Sequence, residues 1–69
     1  MITIEVNGVA KELEPDTNVG ALIAQILGAE SPPGVAVALN GEVVLRGEWA
    51  SVVVRDRDAV EIIRATQGG

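Results

Sequence analysis

The 69-residue sequence predicts an α+β domain, a mixed sheet of four or five strands with one main helix packed across it. Three observations predict this class. Two runs of alternating apolar residues, at 2–6 and 35–39, each stop at an Asn-Gly pair, the strongest short-range hairpin signal. One segment, residues 19–27, repeats its apolar positions with helical spacing. A last alternating run, AVEIIRA at 59–65, needs a place in the same sheet, because one helix covers one face of one sheet.

In MITIEV, Ile2, Ile4 and Val6 share one face and Thr3 and Glu5 the other. Asn7-Gly8 follows as a two-residue turn, whose central positions both take φ > 0. That turn puts Val9, Lys11 and Leu13 on the Ile2/Ile4 face, with Lys11 at the rim, its stem packed and its ammonium in water. Pro15-Asp16-Thr17-Asn18 leads into the helix, with Asn18 as N-cap and Thr17 as the alternative. Val19, Leu22, Ile23, Ile26 and Leu27 form the apolar stripe, and Gly28 is placed to end the helix. Gly20 weakens the first turn by up to ~1 kcal/mol relative to Ala. AESPPG at 29–34 is a loop.

VAVALN at 35–40 directs Val35, Val37 and Leu39 to one face and Ala36 and Ala38 to the other. Asn40-Gly41 turns the chain into EVVL at 42–45. Residues 46–51 read as a short turn or 3₁₀ segment carrying Trp49, and VVV at 52–54 as a brief extended piece. Asp56-Arg57-Asp58 turns into the last strand, where Val60 and Ile62 face the helix. Residues 1–65 therefore make one domain, and residues 66–69 a flexible tail.

Composition narrows the function. A hydrophobic fraction of 48% is enough for a folded chain. With no Phe or Tyr and a single Trp, the core rests on aliphatic residues, with Trp49 as its lid, and a core this small gives only ~3–5 kcal/mol net. No Cys and no His are present, which removes disulfides and metal sites built on those ligands and fits a reducing compartment. The net charge of −5 comes with no basic stripe, so no nucleic-acid partner is expected; an acidic body is steered towards a basic protein surface, although charge alone reads more simply as keeping the chain soluble. The start of the chain does not read as a signal peptide and no apolar run reaches membrane-spanning length, so a cytoplasmic protein with no membrane partner is expected. The hydroxyls of Thr3, Thr17, Ser31, Ser51 and Thr66 have no His to act as base, and Asp56 with Asp58 reads as a solvated turn rather than a metal site. No enzyme acting alone and no bound cofactor are expected.

That leaves TQGG. Beyond a strand ending near Ala65, the residues Thr66 to Gly69 reach ~13 Å at ~3.3 Å each. Such a tail can enter a partner's narrow active site while the body docks outside. Gly68 and Gly69 lack a Cβ and pass a tight channel, and the Gly69 carboxylate is open to an activating reagent such as ATP. Taken alone, a Gly-Gly ending reads more simply as a flexible polar end.

The tail does not stand alone. VEIIRA running into TQGG, the preceding Asp56-x-Asp58 turn, LNGEVVLRGEWASVVV upstream and the opening strand with its Asn-Gly hairpin together resemble the ThiS family, the ubiquitin-like sulfur carriers of thiamine biosynthesis. The order and spacing of these elements carry the resemblance over essentially the whole chain. In one departure, Arg57 stands where many members have the Gly of Asp-Gly-Asp, which puts the geometry of that turn in question.

The resemblance implies a β-grasp (ubiquitin-like) fold with the first and last strands parallel and central. It implies an E1-like, ThiF-like adenylyltransferase that consumes ATP to activate the Gly69 carboxylate as an acyl adenylate. A sulfur donor, ultimately a cysteine desulfurase persulfide, then forms a thiocarboxylate, and a ThiG-like thiazole synthase takes the sulfur. Gly69 would carry the sulfur, Gly68 would give clearance, and Thr66 and Gln67 would lie in the partner's channel. Ile63 and Ala65, together with Ala36 and Ala38, would form an apolar docking face away from the helix. Arg64, on the helix side, would meet a partner carboxylate. Two other readings stay open: a related carrier for molybdopterin or cysteine synthesis, or a protein modifier; and a β-grasp interaction module whose tail has no chemistry.

Overall fold

The two Asn-Gly pairs form the turns expected of them. Asn7 and Gly8 have φ of 51° and 82°, Asn40 and Gly41 φ of 51° and 85°, so each pair supplies the two left-handed positions of a tight hairpin. The first joins β1 (Ile2–Val6) to β2 (Val9–Leu13), the second β3 (Val35–Leu39) to β4 (Glu42–Val44). In this computed structural model, which describes residues 1–29 and 32–65, α1 (Val19–Leu27) follows the first hairpin and β5 (Ala59–Arg64) closes the sequence of elements.

The five strands form one sheet in the order β2-β1-β5-β3-β4. β1 and β5 are parallel and the remaining neighbours antiparallel, the β-grasp arrangement with β5 in the centre. The first hairpin pairs Ile2 with Leu13, Ile4 with Lys11 and Val6 with Val9, so Lys11 lies on the helix-facing side, half-buried at the rim.

The start of α1 is held by its neighbours. Asn18 is the N-cap, and its Oδ1 accepts from the Ala21 N–H at 2.7 Å. The Val19 N–H donates to the Val52 carbonyl at 2.9 Å and the Gly20 N–H to the Trp49 carbonyl at 3.0 Å. The donors that a helix start leaves without intrahelical partners are thus taken up, two of them by the segment that follows the 3₁₀ turn at Arg46–Glu48. The alternative cap, Thr17, is instead buried and donates from Oγ1 to the Glu14 carbonyl at 2.7 Å. Gly28 ends the helix with φ of 78°.

Ile4, Leu22, Ile23, Val37, Val54 and Val60 are among the side chains sealed between helix and sheet. Trp49 is 3% exposed and its Nε1 donates to the Val44 carbonyl at 3.0 Å, so the single aromatic lies in the core with its polar edge satisfied. Two expectations change. Ile26 is 37% exposed rather than part of the buried stripe, because the core contacts of α1 are concentrated at Val19, Leu22 and Ile23. β4 ends at Val44, and Leu45 is exposed, since the chain leaves the sheet there to enter the 3₁₀ turn. No helix among the described residues is long and apolar enough to cross a membrane.

Candidate functional site

The site is built where β5 leaves the sheet. β1 accompanies β5 only through Glu5↔Ala59 and Val6↔Val60, whereas β3 pairs with it from Leu39↔Val60 to Val35↔Arg64. The Asn7 N–H still donates to the Val60 carbonyl at 2.9 Å, and beyond that bond the Asn7 side chain takes over. Asn7 Oδ1 accepts from the Ile62 N–H at 2.8 Å, and Asn7 Nδ2 donates to the Ile62 carbonyl at 3.2 Å. The amide thus imitates one more residue of β1.

On the other side the ladder continues past β5. The Ala65 N–H donates to the Gly34 carbonyl at 2.7 Å. Gly34 has φ of +71°, and a Cβ placed on it would lie 3.7 Å from both the Cβ and the carbonyl oxygen of Ala65. The loop carrying Gly34 is held by Arg46, whose Nη2 donates to the Pro32 carbonyl at 2.8 Å and the Val35 carbonyl at 3.1 Å. The guanidinium carbon lies 4.6 Å from the centroid of the Trp49 ring. With β4 ended at Val44, Arg46 supplies to Val35 the donor that a longer strand would have given.

The opposite end of β5 is fastened in the same manner. Asn40 Oδ1 accepts from the Ala59 N–H at 2.9 Å, and Nδ2 donates to Asp58 Oδ1 at 2.9 Å. Asp56 Oδ1 accepts from the Thr3 N–H at 2.8 Å, and Asp58 Oδ2 from the Arg55 N–H at 2.7 Å. The acidic pair is therefore engaged in shaping the turn. Arg57 adopts φ of 70°, so the departure from Asp-Gly-Asp keeps a left-handed turn position and fills it with a residue that has a Cβ.

The face of the sheet away from α1 gathers Ala36, Ala38 and Ile63. Ile63 lies opposite Ala36, and it is 56% exposed. Val43, opposite Ala38 and 70% exposed, joins them and was not among the expected residues. Its signal was present: a two-residue turn at Asn40-Gly41 sets Val43 across from Ala38. Arg64 pairs with Val35 and so takes the helix side, exposed, while Ala65 follows β5 in an exposed position. Glu5, Glu12 and Glu61 share the open face by register, and no Lys or Arg of the described strands does. A shallow groove follows β5 there, lined by Glu5, Ala59, Glu61 and Ile63 between Gly8 and Gly41. Thr66, Gln67, Gly68 and Gly69 lie outside the described residues.

Comparison with known proteins places this geometry. The ThiS family model matches residues 4–69. The crystal structure of a thiamine biosynthesis protein (ThiS) from Geobacter metallireducens superposes with a TM-score of 0.80 at 33% identity, covering 99% of this chain and 100% of that one. The NMR solution structure of a thiamine biosynthesis protein from Geobacter metallireducens gives a TM-score of 0.79 at 33% identity, covering 99% of this chain and 88% of that one. No curated protein sequence matches significantly.

Proposed function

This chain belongs to the ThiS family, and from that premise we propose that it is a sulfur carrier of thiamine biosynthesis rather than an enzyme, bearing its sulfur as a thiocarboxylate on Gly69. The observation that carries the reading is the extent of the family match, which takes in both the sheet and the TQGG stretch. The 33% identity to the Geobacter metallireducens thiamine biosynthesis structures supports the pathway.

The chemistry begins from an inert carboxylate. On a ThiF-like, E1-like adenylyltransferase, the Gly69 carboxylate attacks the α-phosphorus of ATP and releases pyrophosphate, leaving an acyl adenylate. A persulfide on a sulfur donor, charged by a cysteine desulfurase, attacks the acyl carbon and displaces AMP. Reduction of the resulting acyl disulfide by a thiol leaves the thiocarboxylate. A ThiG-like thiazole synthase takes the sulfur, and the carboxylate returns. ATP belongs to the partner, this chain holds no cofactor, and the cycle is cytoplasmic. The chain itself contributes reach and a surface. Thr66, Gln67 and Gly68 carry Gly69 ~13 Å from Ala65 when extended. Ile63, Ala36 and Ala38, with Val43 beside them and Ala65 beyond, form the docking face, whose carboxylates suit a basic partner surface. Arg64 reaches a partner carboxylate from the other side of β5.

Reconstitution with the adenylyltransferase, ATP, a persulfide donor, a thiol and thiazole synthase tests the reading. With the synthase's own carbon and nitrogen substrates also supplied, thiazole is expected with the full set and none when ATP is omitted. A thiocarboxylate that yields no thiazole would move the carrier to another pathway, and lysine-linked conjugates would make it a protein modifier.

A further inference from the structure

We propose, building on the carrier reading, that Arg46 is a positioning residue for the chemistry at Gly69: its guanidinium holds the loop that fixes the point where the tail leaves the fold. Its two acceptors, the carbonyls of Pro32 and Val35, flank Gly34. The Gly34 carbonyl in turn receives the N–H of Ala65, the residue from which the tail starts. Arg46 is anchored at its other side, because its planar guanidinium lies over Trp49, and Trp49 is buried with Nε1 bonded to the Val44 carbonyl. The rigidity of the core is thereby passed, contact by contact, to the base of the tail.

The consequence is mechanical. Attack by a carboxylate on ATP requires the reacting atoms to be held in line, and a displacement of ~1 Å reduces rates by about a hundredfold. A tail whose base swings spreads its carboxylate over more positions. Arg46 is absent from the open sheet face, so its loss leaves docking intact and acts on the reacting geometry alone. A residue that merely seals the top of Trp49 would instead lower stability and leave the tail base as ordered as before.

Three variants separate these roles. Arg46→Met keeps the apolar stem over Trp49 and removes the donors. Arg46→Lys keeps a donor. Gly34→Ala disturbs the far end of the same tie without touching Trp49. By ¹⁵N relaxation, the order parameter of Ala65 is expected near ~0.85 in the parent chain and below ~0.6 in Arg46→Met and Gly34→Ala, with Ile4 and Val37 unchanged. In adenylation by a ThiF-like enzyme with ATP, kcat should fall about tenfold or more while KM for the carrier stays within about twofold, and Arg46→Lys should recover most of the loss. An unchanged Ala65 order parameter in Arg46→Met, whatever Gly34→Ala does, or a loss confined to KM, overturns the proposal. A parent chain that is not adenylated at all sinks the carrier reading instead, and the order parameters still decide whether Arg46 holds the tail base.

Discussion

Arg57 occupies a backbone conformation that a residue with a Cβ enters at a cost of about 1–2 kcal/mol. Its ion pair with Asp56 is 3.9 Å long, with the Arg57 side chain 92% and the Asp56 side chain 56% exposed, so it offsets little of that. Replacing Arg57 by Gly removes the strain and adds back a smaller loss of unfolded-state restriction. The expected net gain is about 0.5–1 kcal/mol, read as a higher urea midpoint at unchanged slope; a lower midpoint would show that the side chain contributes something the turn geometry does not reveal. The sequence marked this position through its departure from Asp-Gly-Asp. It did not mark the second task of Asn7. The Asn-Gly turn accounts for an asparagine there completely, and the bonds to Ile62 join residues 55 positions apart, which no local pattern records.

Among the elements, the helix shows what local signals can and cannot specify. Its ends were legible because caps are local chemistry: Asn18 closes the start and Gly28 the finish. Its buried length was not, since the depth of Ile26 depends on what lies beneath the last turn. Gly20 is a weak point that the fold does not require. An added Cβ would meet Asn18 Oδ1 at 3.4 Å and the Trp49 carbonyl at 3.8 Å, ordinary contacts, and the Gly20 N–H bond would remain. Gly20→Ala should therefore stabilise by about 0.5–1 kcal/mol. For a domain of this size the melting temperature should rise by roughly 4–8 °C per kcal/mol. No rise, or a fall, in a calorimetric scan would mean that the close approach of residues 49–52 to the helix start excludes even a methyl group. The strands were legible from alternation and turns. The end of β4 was not, because Leu45 continues the apolar run while Arg46 draws the chain into its 3₁₀ turn.

At the scale of the molecule, the strand order lay beyond local pattern. Alternation identified β1 and β5 as half-buried strands, and only the resemblance of the whole chain to a known family implied that they are parallel and adjacent. The fold then explains the economy of the proposed carrier. A 69-residue chain without Cys or His places its last strand in the centre of the sheet, fastened by Asn7 on one side and by Gly34, through Arg46, on the other. The open face is apolar from Ile63 across Ala36 and Ala38 to Val43 on the edge strand, and acidic on the other side, at Glu61, Glu5 and Glu12. The candidate site was only partly legible: Ile63, Ala36 and Ala38 came from alternation, whereas Arg46 and Gly34 act through contacts made by the folded loop.

Whether Gly69 carries the sulfur, as proposed, is read from the intact mass of the chain. After incubation with a ThiF-like adenylyltransferase, ATP, a persulfide donor and a thiol, the chain should gain the mass difference of one sulfur replacing one oxygen. The gain should be absent without ATP and absent from a chain lacking Gly69. An unchanged mass in the complete reaction, or a gain that persists when Gly69 is deleted, would contradict that proposal.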